Sequence, residues 1–157
     1  MKLYQLKREQ FIGRSRKEVF EFFKSPENLE RITPASVGFT ILTPLPIEIA
    51  TGVVFDYKIK LFGKNVRWTT IITDFNEPYK FSDVAIKSPY SFWYHTHRFE
   101  EVEGGTMMYD EVKYALPLGF LGRMVHALLV KKQLETIFDY RAKVIDAVFS
   151  DASKIPV

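Results

Sequence analysis

From Tyr90 to Gly119 apolar and polar residues follow a period of two, interrupted once at Glu103-Gly104-Gly105. The pattern predicts two β-strands of a hairpin and then a Pro117-Leu118-Gly119 turn into a long C-terminal helix. Strand side chains alternate between faces. Trp93, His95, His97 and Phe99 therefore share one side, and Met108, Asp110, Val112 and Tyr114 share one side of the next strand. A turn at Glu103-Gly104 sets His97 opposite Asp110, whereas one at Gly104-Gly105 sets Phe99 there and leaves His97 on the diagonal. In either register an imidazole and a carboxylate meet on an otherwise apolar wall.

Upstream, Leu3 to Ile12 reads as a strand, and Ser15-Arg16-Lys17-Glu18 forms a capping box at the start of a short helix that carries Val19, Phe20, Phe22 and Phe23. Ser25-Pro26 stops that helix and opens a second, through Leu29 and Ile32, ended before Pro34. Strands are predicted over 37–42, 53–61, 66–75 and 80–86, with turns at 62–65 and 76–78. Phe55, Tyr57, Ile59 and Leu61 alternate with Asp56, Lys58 and Lys60, so the sheet has one wet face and one covered face. The segment long enough to cover it is the helix from about Phe120 to Phe149. The result is an α+β fold of about seven antiparallel strands, in the order β-α-α-β6-α.

At 100° per residue, one apolar stripe of this helix runs from Phe120 and Ala127 through Val130, Leu134 and Phe138 to Val148 and Phe149, with Arg123 and Arg141 inside it. Leu121, Met124, Val125, Leu128 and Leu129 fall on the opposite face of the first three turns. The expectation is that loops or the short N-terminal helices cover this extra face, or that the helix breaks near Lys131. Contact with a partner subunit or a membrane surface is the alternative.

Composition narrows the function classes. With 157 residues, 46% of them hydrophobic, and no linker-like stretch, a single domain over 1–157 is expected, its last residues (150–157) a loose tail. The 22 basic and 19 acidic residues are spread along the chain, which argues against nucleic-acid binding. Without cysteine there are no disulfides, thiol nucleophiles or thiolate metal sites. The N-terminal residues alternate where a secretory signal would need an apolar run, and the apolar segment Pro117 to Val130 is short and broken by Arg123 and His126. A cytoplasmic protein without a transmembrane segment is expected.

His95 and His97 with Asp110 could supply metal ligands, an acid/base pair, or a buried cluster whose members satisfy one another. No fourth metal donor and no activated nucleophile is evident, so mutual satisfaction is the favoured reading and neither metal nor cofactor is expected. Arg141 falls on the covered stripe and needs a partner, Asp110 first and Asp83 second. It could lock the helix to the sheet or anchor a ligand's carboxylate or phosphate. Tyr57, Trp68, Trp93 and Tyr114 complete a set that is mostly apolar with a few convergent polar groups, the usual make-up of a small-molecule site.

Phe81-Ser82-Asp83, Ser88-Pro89-Tyr90, the strand Trp93 to Glu100, Gly105-Thr106, Asp110, Tyr114, Pro117-Leu118-Gly119 and Phe138-Asp139-Tyr140-Arg141 give the chain a resemblance over essentially its whole length. It resembles the SRPBCC superfamily, the helix-grip fold of START lipid-transfer domains, birch-pollen-allergen-like proteins and polyketide cyclases. Within it the chain is most similar to bacterial stand-alone ligand-binding proteins, some described as relatives of a domain fused to nucleotide-sugar epimerases. The resemblance implies a curved sheet wrapped around the C-terminal helix, enclosing a cavity entered between 26–34, 44–52, 62–64 and 118–124. Leu121, Met124 and Val125 would then stand at the entrance. The expected function is to bind or carry a hydrophobic, lipid-like or polycyclic molecule with Tyr57, Trp68, Trp93, His95, His97, Asp110, Tyr114 and Arg141. One alternative is a cofactor-independent cyclase, aromatase or dehydratase using His97 and Asp110. Another is an interaction module working through the apolar start of the helix. Transient membrane contact and homo-oligomerisation remain open.

Overall fold

The computed structural model describes residues 1–61 and 63–151; Phe62, in the expected turn at 62–65, and the tail from 152 onward lie outside the described residues. Strand β1 (Tyr4–Ile12) is followed by helices α1 (Arg16–Phe23) and α2 (Glu27–Arg31). Strands β2 (Thr40–Ile41), β3 (Val54–Leu61), β4 (Lys64–Asn76), β5 (Lys80–Lys87), β6 (Phe92–Val102) and β7 (Gly105–Ala115) come next. The chain then runs through α3 (Gly119–Val125), a π turn (His126–Val130) and α4 (Lys131–Ser150). All strands join one antiparallel sheet in the order β1-β7-β6-β5-β4-β3-β2, which with the C-terminal helix is the helix-grip α+β architecture.

Local chemistry accounts for the elements. The Ser15 hydroxyl accepts from the Glu18 amide at 3.3 Å while the Glu18 carboxylate accepts from the Ser15 amide at 3.1 Å, so two otherwise orphaned donors at the start of α1 are satisfied. In the β6–β7 hairpin Val102 pairs with Gly105, leaving Glu103-Gly104 as the turn, and His97 stands opposite Asp110. The strand expected over 37–42 is only Thr40–Ile41. Pro34 leads into a single 3₁₀ turn, Ala35–Val37, and Gly38 ends it with a left-handed φ of 55° that an extended strand could not share.

Two apolar clusters fill the space between sheet and helix. In one, Phe20 of α1 packs with Phe81, Phe99, Met108, Ile145 and Phe149. In the other, Trp68, Trp93, Val112 and Tyr114 pack against Val130, Leu134 and Phe138. From Val130 onward the helix buries the side predicted for it. Before Val130 it does not: Phe120 is 65% exposed and Ala127 is exposed, while Gly122 and His126 are buried.

The π turn is the reason. The Lys131 amide bonds to the His126 carbonyl five residues back, and this wider turn rotates the preceding segment away from the 100° projection. Gly122 then sits so close to the chain that a Cβ there would lie 2.1 Å from the Pro117 carbonyl oxygen. Neither loops nor α1 and α2 cover the far side of this segment, where Leu121, Met124, Val125, Leu128 and Leu129 are all exposed. Arg123 is exposed as well, its guanidinium 5.6 Å from the Phe120 ring centre. Among the described residues no helix is long and apolar enough to cross a membrane.

At Gly105 a Cβ would lie 2.3 Å from the Ile12 carbonyl oxygen, where β7 leaves the hairpin turn beside β1. Gly105→Ala is expected to lower the unfolding free energy by about 1–3 kcal/mol, read by urea titration.

Candidate functional site

A polar layer lies between the two apolar clusters, and four elements build it. Strand β6 supplies His95 and His97, β7 supplies Asp110 opposite His97, and β5 places Asp83 opposite His95 and Phe81 opposite His97. Helix α4 brings Arg141 to the same carboxylate from the other side. Asp110, only 2% exposed, is the hub. Its Oδ1 accepts a hydrogen bond from His95 Nε2 and lies 3.5 Å from His97 Nδ1, and its Oδ2 lies 3.7 Å from Arg141 Nη1. On the far side of His95, Nδ1 is 3.8 Å from Asp83 Oδ2, and Asp83 Oδ1 accepts from the Thr70 hydroxyl at 2.8 Å. The two imidazoles are 4.1 Å apart, and the Arg141 guanidinium lies 4.7 Å from the Phe138 ring centre. Arg141 is therefore ion-paired with Asp110, the first of its expected partners.

Burial sets the protonation states against the ordinary ones. It pushes the His97 imidazole down to about 3, helped by the positive charge of His95 and Arg141 against the pull of Asp110, so His97 is neutral near pH 7. Burial would raise Asp110, but His95, His97 and Arg141 outweigh it and hold its carboxyl below the usual range. Asp83 goes the other way: burial raises it, and the charge on His95 and the Thr70 hydrogen bond offset this only in part.

Beside this layer, between the sheet and α4, lies a pocket of about 160 Å³. Phe55, Trp68, Ile72, Leu134, Ile137 and Phe138 give it apolar walls, and Asp83, His95, His97 and Arg141 give it a polar side. Of the residues expected to bind a ligand, Tyr57, Trp68, Trp93, His95, His97 and Arg141 line it; Asp110 and Tyr114 do not. Asp110 is held beneath the two histidines, and the Tyr114 hydroxyl hydrogen-bonds His126 Nε2 at 2.9 Å. Leu121, Met124 and Val125 are likewise absent from the lining, because the segment that carries them is rotated outward at the π turn. The expected entrance segments 26–34 and 44–52 do contribute, through Pro26, Leu29, Ile32 and Ile49. Val37, Lys60, Gln133 and Ile137 are shared with a neighbouring groove of about 440 Å³ that Leu128, Leu129 and Lys132 also border.

Four buried nitrogens on three lining residues make no hydrogen bond among the described residues: Trp68 Nε1, His97 Nδ1, Arg141 Nε and Arg141 Nη1, of which His97 Nδ1 and Arg141 Nη1 stand 3.5 and 3.7 Å from the Asp110 carboxylate. Asp83 and His126 are the site residues that sequence reasoning underweighted. For Asp83 the signal was present, since Phe81 and Asp83 alternate on the face that meets His97 and His95. For His126 there was none, because its burial against Tyr4, ring centres 3.5 Å apart, follows from the π turn.

Asp83, His95 and His97 each offer a ligand atom, all within 4.8 Å of one another. Imidazole and carboxylate suit zinc or iron, and Asp110 would orient His95 as outer carboxylates do for metal-bound histidines. A divalent ion there would also meet the charge of Arg141, which acts on both Asp83 and His97. That repulsion makes an acceptor or a neutral polar group the better occupant.

Neither a family model nor a curated protein sequence matches the chain. Solved structures do. Protein Ms6760 from Mycobacterium smegmatis matches 96% of this chain over 97% of its own, with 16% identity and a TM-score of 0.67. StfQ, a di-domain aromatase/cyclase from the steffimycin biosynthetic pathway, matches 96% of this chain over 52% of its own, with 9% identity and a TM-score of 0.71. Ara h 8.0201, which is Bet v 1-like, matches 92% of this chain over 98% of its own, with 14% identity and a TM-score of 0.57. The likeness is one of fold: the chain shares the helix-grip architecture of these structures.

Two outcomes test the polar layer. In the native state His97 takes its proton only near pH 3, whereas in the unfolded chain it does so near pH 6.5. Its contribution is therefore complete above about pH 6.5 and is lost as pH falls toward 3; Asp83, with its raised pKa, works in the opposite sense. Between neutral pH and about pH 3.5 the wild type is expected to lose roughly 4 kcal/mol more stability than His97→Gln. Equal slopes in urea titrations would refute the assignment. Separately, Asp110→Asn leaves the Arg141 charge buried without its counter-ion and is expected to cost about 3–5 kcal/mol. Adding Arg141→Met should recover much of that loss in a double-mutant cycle.

Proposed function

We propose that the protein binds and carries a hydrophobic small molecule in the pocket between the sheet and α4. One observation carries the reading: an aromatic-walled pocket whose lining residues Trp68 and Arg141 hold buried donors, Trp68 Nε1 and Arg141 Nε, with no hydrogen-bond partner among the described residues. Buried donors are nearly always satisfied, and a guest with one or two acceptors would supply what is missing. At about 160 Å³ the pocket is close to the volume that accepts a benzene-sized guest. A lipid-like or polycyclic ligand would therefore enter by spreading the walls at Val37, Lys60, Gln133 and Ile137, where the pocket meets the neighbouring groove.

A second reading, a cofactor-independent cyclase or dehydratase, is favoured by the match to StfQ and by the place of His97 in the pocket wall. Its difficulty is chemical. An imidazole with its pKa at about 3 is a weak base near neutrality, and Asp110 does not reach the pocket. Carriage asks nothing of either group beyond a fixed position.

Native mass spectrometry of protein purified without denaturation is expected to show a bound hydrophobic species, or uptake of one from a lipid extract. Ile137→Trp, which fills the pocket, should abolish it. Apo spectra throughout, before and after exposure to the extract, would sink the carrier reading. Turnover of a polyketide-like substrate, lost in His97→Gln, would favour the enzyme instead.

A further inference from the structure

Away from the pocket, the largest departure from an ordinary protein surface is the segment formed by α3 and the π turn. Phe120, Leu121, Met124, Val125, Leu128 and Leu129 are all exposed, Leu128 by 71% and Leu121 by 61%. Single exposed apolar residues need no explanation, but a contiguous set on one short segment does. Along the segment the charges are of one sign. No aspartate or glutamate occurs between Glu111 and Glu135, whereas Arg123, Lys131 and Lys132 all lie within or beside the apolar set and are exposed. The rest of the chain mixes both signs, so this asymmetry is local.

We propose that this face is a membrane-docking surface that seats on an anionic bilayer. Apolar side chains that enter the headgroup boundary while flanking lysines and arginines meet acidic lipids are the make-up of an interfacial helix. Lys131 and Lys132 follow Leu128 and Leu129 within one turn, where their alkyl stems can lie along the interface and their ammonium groups reach the phosphates. Charge decides between this occupant and a second copy of the chain. A two-fold contact would bring Arg123, Lys131 and Lys132 against their own images, whereas acidic lipid supplies the opposite sign. The face also adjoins the groove of Leu128, Leu129 and Lys132 that shares four residues with the pocket, so docking would set the bilayer beside the way in. The proposal goes beyond the carrier reading and stands without it.

The test is sedimentation of the full chain with vesicles of phosphatidylcholine alone and of phosphatidylcholine mixed with phosphatidylglycerol. Binding is expected to be at least about tenfold tighter on the acidic vesicles and to weaken as salt rises. Leu121→Asp combined with Leu128→Asp should abolish it, and Arg123→Gln combined with Lys132→Gln should remove the preference for acidic lipid. Ile86→Asp, at an exposed apolar residue on β5, should leave binding unchanged. No binding, equal binding to both vesicle types, or equal loss in the Ile86 variant would overturn the proposal. So would light scattering that shows a dimer dissociated by the two leucine substitutions in a protein that ignores vesicles. Vesicle binding is read without any ligand, so its failure leaves the carrier reading intact, and an apo native mass spectrum leaves the docking surface intact.

Discussion

A carboxylate almost wholly removed from water persists as an anion only where cations and donors surround it. Asp110 meets that condition with three residues, two from the neighbouring strand and one from the helix across the core. The same contacts that keep it charged tie β6, β7 and α4 to one point. They also fix which face of α4 meets the sheet, because Arg141 reaches Asp110 only when Leu134, Phe138 and Ile145 are turned inward. A hydrophobic stripe can slide by a turn at modest cost, and an ion pair in its middle cannot. The arrangement is dear in desolvation and narrow in geometry, which is how buried charges come to specify a register.

The polar layer also divides the interior. The cluster around Phe20 and Phe99 is tightly aromatic, with rings edge to face at 5.4 Å, and it closes the end of the molecule where α1 meets the end of α4. The cluster around Trp68, Trp93 and Phe138 leaves room beside it. The pocket therefore lies where wide, flat side chains meet a helix across a curved sheet, with the charged layer along one side. A guest there would find apolar surface on most sides and polarity on one, so orientation as well as affinity is built into the wall.

Much of this was legible in the sequence. The period-two hairpin puts Trp93, His95, His97 and Asp110 on one face whether Glu103-Gly104 or Gly104-Gly105 makes the turn, because strand alternation leaves little freedom, and the structure selects Glu103-Gly104. Arg141 was legible for the same kind of reason, a charge inside an apolar stripe. The first turns of the C-terminal helix were not. A projection at constant pitch cannot see one wider turn, and that turn exposes Phe120, buries His126, and removes Leu121, Met124 and Val125 from the pocket's entrance. Asp83 enters the sequence reading of the site only as the second choice of partner for Arg141. Its cross-strand position opposite His95 follows from the register of β5 against β6, which the connection over 88–91 does not fix by spacing alone.

The sheet order has a kinetic side. Strand β1 pairs only with β7, Tyr4 against Tyr114 and Ile12 against Thr106, although nearly the whole sheet lies between them in sequence. Each other neighbouring pair joins strands consecutive in the chain. Those local pairings can form as hairpins, whereas β1 must wait for an edge that is among the last parts of the sheet to exist. During synthesis the first strand leaves the ribosome long before its partner, and Tyr4, Leu6 and Ile12 on its inner side stay uncovered for that interval.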